Sequence, residues 1–278
     1  MRRLCLAFAA LLAVLPAREA RAQDPAIPSF WDARERLVQP DLTELKRLRF
    51  LTTTDFLPFS FIDASGRLSG FHVDLARAIC AELGITDRCQ IQALPWSEHA
   101  QAMASGEGEA LLSGLAVTSE NRAQYAFSRP YLSFPARFVA RSGEQIETTR
   151  AGLAGKTIGV ITGSAHQRML ADYFPDATVQ AFDDFDAMLA AVQTGMIDAA
   201  FGDGMRMSFW LTEKEAANCC AFAGGPYLAP EYLGQGFAIA VPLDRPDLKR
   251  ALDYALHEIG TKGIFAELYL RYFPVSFF

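Results

Sequence analysis

From Leu48 onward, short apolar runs alternate with stretches whose apolar residues recur at helical spacing. Leu48 to Thr53 reads as a strand, and Asp63-Ala64-Ser65-Gly66 as a turn. Val73 to Leu83 places Leu75, Ala76, Ile79 and Leu83 on one face of a helix. Cys89 to Leu94 reads as a strand, Ser97 to Ser105 as a helix and Ala110 to Leu115 as a buried strand. A second series follows: strand Thr157 to Ile161, helix Ala165 to Tyr173, strand Val179 to Phe182, helix Asp184 to Gln193, strand Ile197 to Phe201. Phe237 to Val241 is a further strand, and two helices run from about Asp247 to Tyr272. Strands alternating with helices predict an α/β fold with largely parallel sheets.

The first residues have a different pattern. Arg2 and Arg3 precede an unbroken apolar run, Leu4 to Leu15, and Ala20-Arg21-Ala22 supplies small residues at signal-peptidase spacing. This predicts a secretory signal over residues 1–22, cleaved after Ala22. The run is too short for a transmembrane helix, which needs about 20 apolar residues. Residues 23–46 are polar, with Pro25, Pro28 and Pro40, and read as an N-terminal arm with little packing of its own that Phe30-Trp31 docks onto the body.

Composition refines this picture. The chain is 278 residues long and 51% hydrophobic, too apolar for a disordered protein. Residues 1–22 carry four Arg and one Glu, so the net charge of −6 becomes −9 over the remaining 256 residues. No basic stripe offsets that acidity, which argues against nucleic acid as a partner. An export signal places Cys80, Cys89, Cys219 and Cys220 in an oxidising compartment. Cys80 would end a helix and Cys89 open the next strand, so these two are candidates for a local disulfide. Adjacent Cys219 and Cys220 fit a vicinal disulfide or two buried thiols. The spacing shows neither a zinc pattern nor a phosphate-binding glycine loop, so no metal or cofactor is expected.

The two series share a local pattern. Met103 to Gly114 aligns with Val192 to Asp203: helix end, glycine, one acidic residue, short apolar strand. Convergent helix–glycine–strand chemistry is one explanation; two lobes of similar design is the other. In the second case Ser113-Gly114 and Gly202-Asp203 would face each other across a cleft, because ligands in open α/β sheets bind beyond the carboxyl ends of strands.

Five ordered segments resemble the family 3 extracellular solute-binding proteins, the polar amino-acid receptors of ABC importers. They are Thr54 to Phe61; Gly70-Phe71-His72-Val73-Asp74-Leu75-Ala76; Ser113 to Thr118 with Tyr125 to Tyr131; Gly155 to Val160 with Gly163-Ser164; and Asp198 to Asp203. Together they span about residues 47–275. The resemblance implies a two-lobed, type II periplasmic binding protein-like fold with two mixed sheets flanked by helices and a ligand cleft between the lobes. Lobe 1 would comprise 47–136 and 236–278, and lobe 2 137–235, with Phe138 to Arg141 and Phe237 to Val241 as hinge strands. It places Cys80 and Cys89 where histidine- and lysine/arginine-binding members carry a disulfide. It implies a monomeric periplasmic receptor that hands a small polar ligand to an inner-membrane permease.

An α-amino acid needs an anion site, a carboxylate for its ammonium and walls for its side chain. Backbone N–H groups near Ala116 and Thr118, and at the helix start after Gly163-Ser164, are candidates for the anion site. Asp203 matches the ammonium-binding position and would otherwise be a helix N-cap. Phe56 and Trp96 match the apolar walls, or are core. Asp55 would meet a basic side chain or cap the turn before Pro58.

Several positions depart from the family pattern. The arginine expected three residues after Thr118 is displaced by one, to Arg122, which rotates a helical side chain by about 100°. Either Arg122 still reaches the cleft or Asn121 faces it. Ala116 and Ala165 replace polar residues, and Arg129 replaces the usual aspartate before Pro130-Tyr131. The main reading is a binding protein and not an enzyme. Two rivals are a secreted dehydratase on the same fold, with Asp203 or Glu231 as its acid, and a periplasmic accessory protein that binds another protein. The histidines, His72, His99, His166 and His257, read as structural or exposed.

Overall fold

A computed structural model describes residues 27–32 and 34–278. The export signal expected at residues 1–22 lies outside the described residues. Two five-stranded sheets organise the rest. The first runs Cys89–Ala93, Leu48–Thr52, Ala110–Leu111, Ala240–Pro242, Tyr125–Phe127. The second runs Thr178–Phe182, Thr157–Ile161, Ala199–Asp203, Ala136–Arg141, Cys220–Tyr227. In each, the first three strands are parallel and the fourth is antiparallel to both neighbours.

Parallel strands covered on both faces need apolar residues throughout. Leu48, Phe50 and Leu51 are all buried: Leu75, Ala76 and Ile79 of helix Phe71–Glu82 and helix Pro246–Thr261 cover Leu48 and Phe50, and Ala102 and Met103 of helix His99–Ala104 cover Leu51 on the other face. In the second sheet, neighbouring residues divide between the faces, as a period of two requires. Phe138 and Phe201 join Met169, Leu170 and Phe174 on one side. Val139 and Ala200 join Met188, Leu189 and Met207 on the other.

The repeated segment occupies the same place in both sheets, the central strand. Its acidic residue does the same job twice. Glu109 Oε2 accepts from Arg49 N at 2.7 Å, and Asp198 Oδ2 accepts from Thr157 N at 2.7 Å. Each carboxylate also pairs with a cation just before the first strand, Arg47 or Lys156.

Some elements differ from the sequence pattern. The strand expected over Ala110 to Leu115 is only Ala110–Leu111, because Gly114 turns the chain at a φ of 79°. Strand Cys220–Tyr227 was hidden by Gly224-Gly225-Pro226, which reads as a turn. It survives as an edge strand with a register shift between Ala223 and Tyr227. The hinge strands are also displaced. Phe138 to Arg141 lies inside the second sheet and Ala240–Pro242 inside the first. The chain instead crosses between sheets at about 132–136 and 228–237, where Phe237 N donates to Leu132 O at 2.7 Å and Tyr131 N to Phe237 O at 2.8 Å.

The arm residues pack on the first lobe. Trp31 is buried over Gly260, with its ring 5.2 Å from that of Phe265. His257 Nε2 lies 3.1 Å from Asp32 O, and Arg129 forks onto the Glu35 carboxylate. Cys80 and Cys89 form a disulfide with Cα atoms 6.1 Å apart, and Cys219 is bonded to Cys220.

His72 sits beneath the carboxyl ends of the first sheet, against Phe56, Phe59 and Phe237, with Nε2 2.7 Å from Tyr131 Oη. Complete burial pushes its pKa from 6.5 down to about 3.

Two outcomes are expected. A Cβ at residue 260 would lie 2.3 Å from Trp31 Cε3. Gly260→Ala should therefore destabilise by about 1–3 kcal/mol, although alanine favours a helix by about 1 kcal/mol. A urea midpoint equal to or above wild type would contradict the Trp31 seat. Between pH 6.5 and about 3 the unfolded chain binds a proton at His72 that the native chain refuses. His72 therefore makes stability fall as pH drops, by up to about 1.4 kcal/mol per pH unit. His72→Gln should flatten the pH dependence of the urea midpoint across that window; an unchanged slope would refute the assignment.

Candidate functional site

The predicted residues sit beyond the carboxyl ends of the parallel strands. Asp55 and Phe56 follow Leu48–Thr52, Ser113 and Gly114 follow Ala110–Leu111, Gly163 and Ser164 follow Thr157–Ile161, and Asp203 ends Ala199–Asp203. A cavity of ≈ 440 Å³ opens here between Leu57-Pro58 of the first lobe and Ile161, Ser164, His166, Phe185, Asp203, Arg206 and Phe209 of the second. A hollow of ≈ 630 Å³ lies at the opposite, amino ends of the first sheet, bounded by Glu109, Tyr125 and Arg245, and holds none of the predicted residues. Open α/β sheets bind at carboxyl ends, which selects the first cavity as the candidate.

Two predicted residues line it. Asp203 Oδ1 accepts from Arg206 N at 2.7 Å, so Asp203 caps helix Gly204–Trp210 and still faces the cavity. Ser164 caps helix Ala165–Tyr173: its Oγ accepts from Gln167 N at 3.1 Å and donates to Ile161 O at 2.7 Å. Gly163 N donates to Gln167 Oε1 at 2.8 Å. The amides of Gly163 and Ser164 thus have internal partners, Ser164 N donating to Ile161 O at 3.2 Å. The first-turn N–H groups of Ala165 and His166 are the donors that a helix start leaves without intrahelical acceptors.

The first-lobe residues are more dispersed. Phe56 is half-buried, its ring centroid 4.8 Å from Phe59 and 5.8 Å from Phe237. Gly114 is required beneath it, since a Cβ would lie 2.7 Å from the Phe56 ring. Asp55 and Trp96 are exposed, and Trp96 leans on His99 at 5.5 Å. Ser113 is buried: its Oγ is 3.3 Å from His99 Nδ1, and His99 Nε2 is 3.1 Å from Thr52 O. Its hydroxyl braces the sheet end and is not presented to the cleft.

The loop from Ala116 to Arg122 is turned in on itself. Thr118 N donates to Ala116 O at 3.1 Å, so this amide is not a free anion donor. Thr118 Oγ1 caps Asn121 N, and Asn121 Nδ2 donates to Ala116 O at 2.8 Å. Arg122 is exposed, donates from Nη2 to Gln235 Oε1 at 2.8 Å and lies 5.7 Å from the Phe127 ring. Neither choice left open for the displaced arginine, Arg122 or Asn121, lines the cavity.

Sequence reasoning missed His166, Phe185, Arg206 and Phe209. Each lies within the helix following a second-sheet strand, so the signal was available as a position: the turns after Ser164, Asp184 and Asp203. His166 packs near Phe201, with centroids 6.2 Å apart. Burial holds its pKa below the ordinary value, against the opposing pull of Asp203.

Residues 48–275 match the family model of bacterial extracellular solute-binding proteins, family 3. The chain is 30% identical over 231 residues to an Escherichia coli (strain K12) protein named putative ABC transporter arginine-binding protein 2, covering 83% of this chain and 92% of that one. Its fold is similar to the L-cystine solute receptor of Neisseria gonorrhoeae in the unliganded open conformation, with TM-score 0.71, 18% identity and coverage of 83% and 94%. It is also similar to an ancestral cyclohexadienyl dehydratase, with TM-score 0.70, 17% identity and coverage of 84% and 95%. Two lobes of one design, facing each other through their strand ends, are thus matched by sequence across almost the whole described chain, which belongs to the family 3 bacterial extracellular solute-binding proteins.

Proposed function

We propose that this protein is the periplasmic receptor of an ABC importer and that its cleft takes an amino acid or a related small carboxylate. The observation that carries the reading is the pairing of opposite chemistries around one cavity. The Asp203 carboxylate suits an ammonium, and the first-turn amides of Ala165 and His166 suit a carboxylate. The arginine-binding name of the Escherichia coli relative supports an amino acid as the class.

In this proposal lobes 47–136 with 236–278, and 137–235, close about the two crossings. Closure brings Asp55, Phe56, Trp96 and Thr118 toward the ligand that the second lobe already holds. Contacts made to both lobes exist together only when closed, so ligand shifts the population toward that state. The closed monomer then docks on an inner-membrane permease. Residues 1–22 direct export and are removed after Ala22.

The dehydratase reading needs a cleft carboxylic acid with a raised pKa. Glu231 is the reverse: a hydrogen bond from Tyr173 Oη holds its carboxyl below the ordinary range. The accessory reading draws on the displaced arginine and the polar arm; the arm is held on the first lobe, where its Glu35 pairs with Arg129.

A thermal-shift screen of amino acids, organic acids and amines should give a concentration-dependent rise in Tm for at least one compound. Asp203→Ala should weaken an amino-acid ligand at least tenfold, since a charge-assisted bond contributes about 1.5–3 kcal/mol. Affinity unchanged in calorimetry would remove Asp203 from the site. A screen with no response would overturn the receptor reading.

A further inference from the structure

Two guanidinium groups stand near the cleft, one on each lobe, and their surroundings differ. Arg122 is occupied by Gln235, a residue of the second crossing, and is outside the cavity lining. Arg206 lines the cavity. Its guanidinium carbon lies 3.9 Å from the centroid of the Phe185 ring, which is itself buried and lines the same cavity. Apart from that ring, the guanidinium has no hydrogen-bond or ion-pair partner among the described residues.

We propose that Arg206 binds a carboxylate of the ligand, resting on the receptor reading above and extending it to a specificity-determining residue. Three features of the site support this. The Arg206 backbone N–H is held by the Asp203 side chain, which fixes the start of its helix and places the acid and the base of the cavity three residues apart. The Phe185 face seats the guanidinium by a cation–π contact, which takes up none of its N–H groups and leaves them for a carboxylate. The first-lobe side of the cavity is supplied by Leu57 and Pro58, which bring no charge. A ligand seated here meets an ammonium site at Asp203 and a carboxylate fork at Arg206 on the same lobe.

The arrangement also selects against a cationic side chain. A guanidinium or ammonium directed at the Phe185 shelf would displace Arg206 from it or lie against a like charge. The cavity therefore favours ligands whose second group is neutral or anionic, a different preference from that in the name of the Escherichia coli relative.

The test compares L-glutamate, L-glutamine, L-arginine and succinate as probes by calorimetry, with wild type, Arg206→Gln, Arg206→Lys and Arg122→Gln. Arg206 is exposed in the first turn of its helix, and an unliganded Tm close to wild type checks that the variants fold. Wild type should prefer glutamate or glutamine over arginine. Arg206→Gln should lose at least tenfold in affinity for the preferred probe, and Arg206→Lys should fall between, since it keeps the charge without the fork. Loss for both glutamate and glutamine identifies the α-carboxylate as the group bound; loss for glutamate alone identifies the side-chain carboxylate. Arg122→Gln should change affinity less than Arg206→Gln. Unchanged affinity in Arg206→Gln with a responding wild type, or a wild-type preference for arginine, overturns the role of Arg206 and leaves the receptor reading standing. A wild type that responds to none of the four overturns the small-carboxylate reading itself, before any variant is compared.

Discussion

The backbone pairing of Leu132 with Phe237 is the joint on which this molecule depends. Each lobe receives its antiparallel strand from a crossing that passes this joint, Ala136–Arg141 in one sheet and Ala240–Pro242 in the other. Both strands lie beside the central strand of their sheet. The carboxyl ends of the parallel strands of both sheets are thereby directed toward the same gap. Loops that each lobe could form alone become one cavity only because the chain crosses twice at this point.

Phe237 links that joint to an aromatic cluster of the first lobe. Its ring lies 4.6 Å from Phe134, 5.2 Å from Phe59 and 5.8 Å from Phe56. His72 completes the group as a neutral, buried imidazole held by Tyr131. These rings form a packed aromatic cluster beside Leu57 and Pro58, the first-lobe residues that line the cavity. The second-lobe side has apolar walls in Ile161, Phe185 and Phe209, and its polar groups stand at helix starts, where backbone donors and capping side chains already converge. The charged groups that line the cavity therefore all come from the second lobe, which is suited to capture followed by closure.

The departures from the family pattern separate into two kinds once the contacts are known. Arg129 is explained by the arm, where Glu35 takes its guanidinium and Asp253 Oδ1 accepts from its backbone N–H at 2.7 Å. The displaced arginine is different, because Arg122 faces Gln235 and leaves the cavity with Arg206 as its lining guanidinium. A local shift of one residue on the first lobe is thus accompanied by a cation on the opposite lobe.

The α/β architecture, the helix faces and the repeated helix–glycine–acid–strand unit were legible in the sequence, because they rest on local periodicity and on glycine's access to positive φ. The positions beyond the strand ends were legible for the same reason, since a strand followed by a helix start defines a place before it defines a partner. What each side chain does there was decided by tertiary contacts. Ser113 is a candidate by position, but packing gives its hydroxyl to His99. Thr118 offers an amide by sequence, but the turn gives it to Ala116. Arg206 carries no motif, and it reaches the cavity only because Phe185, from a different helix, provides the surface on which it lies. Hydrogen-bond donors and charges are taken up by whichever partner the fold brings within about 3 Å. That selection joins residues far apart in the chain, so no sequence period records it.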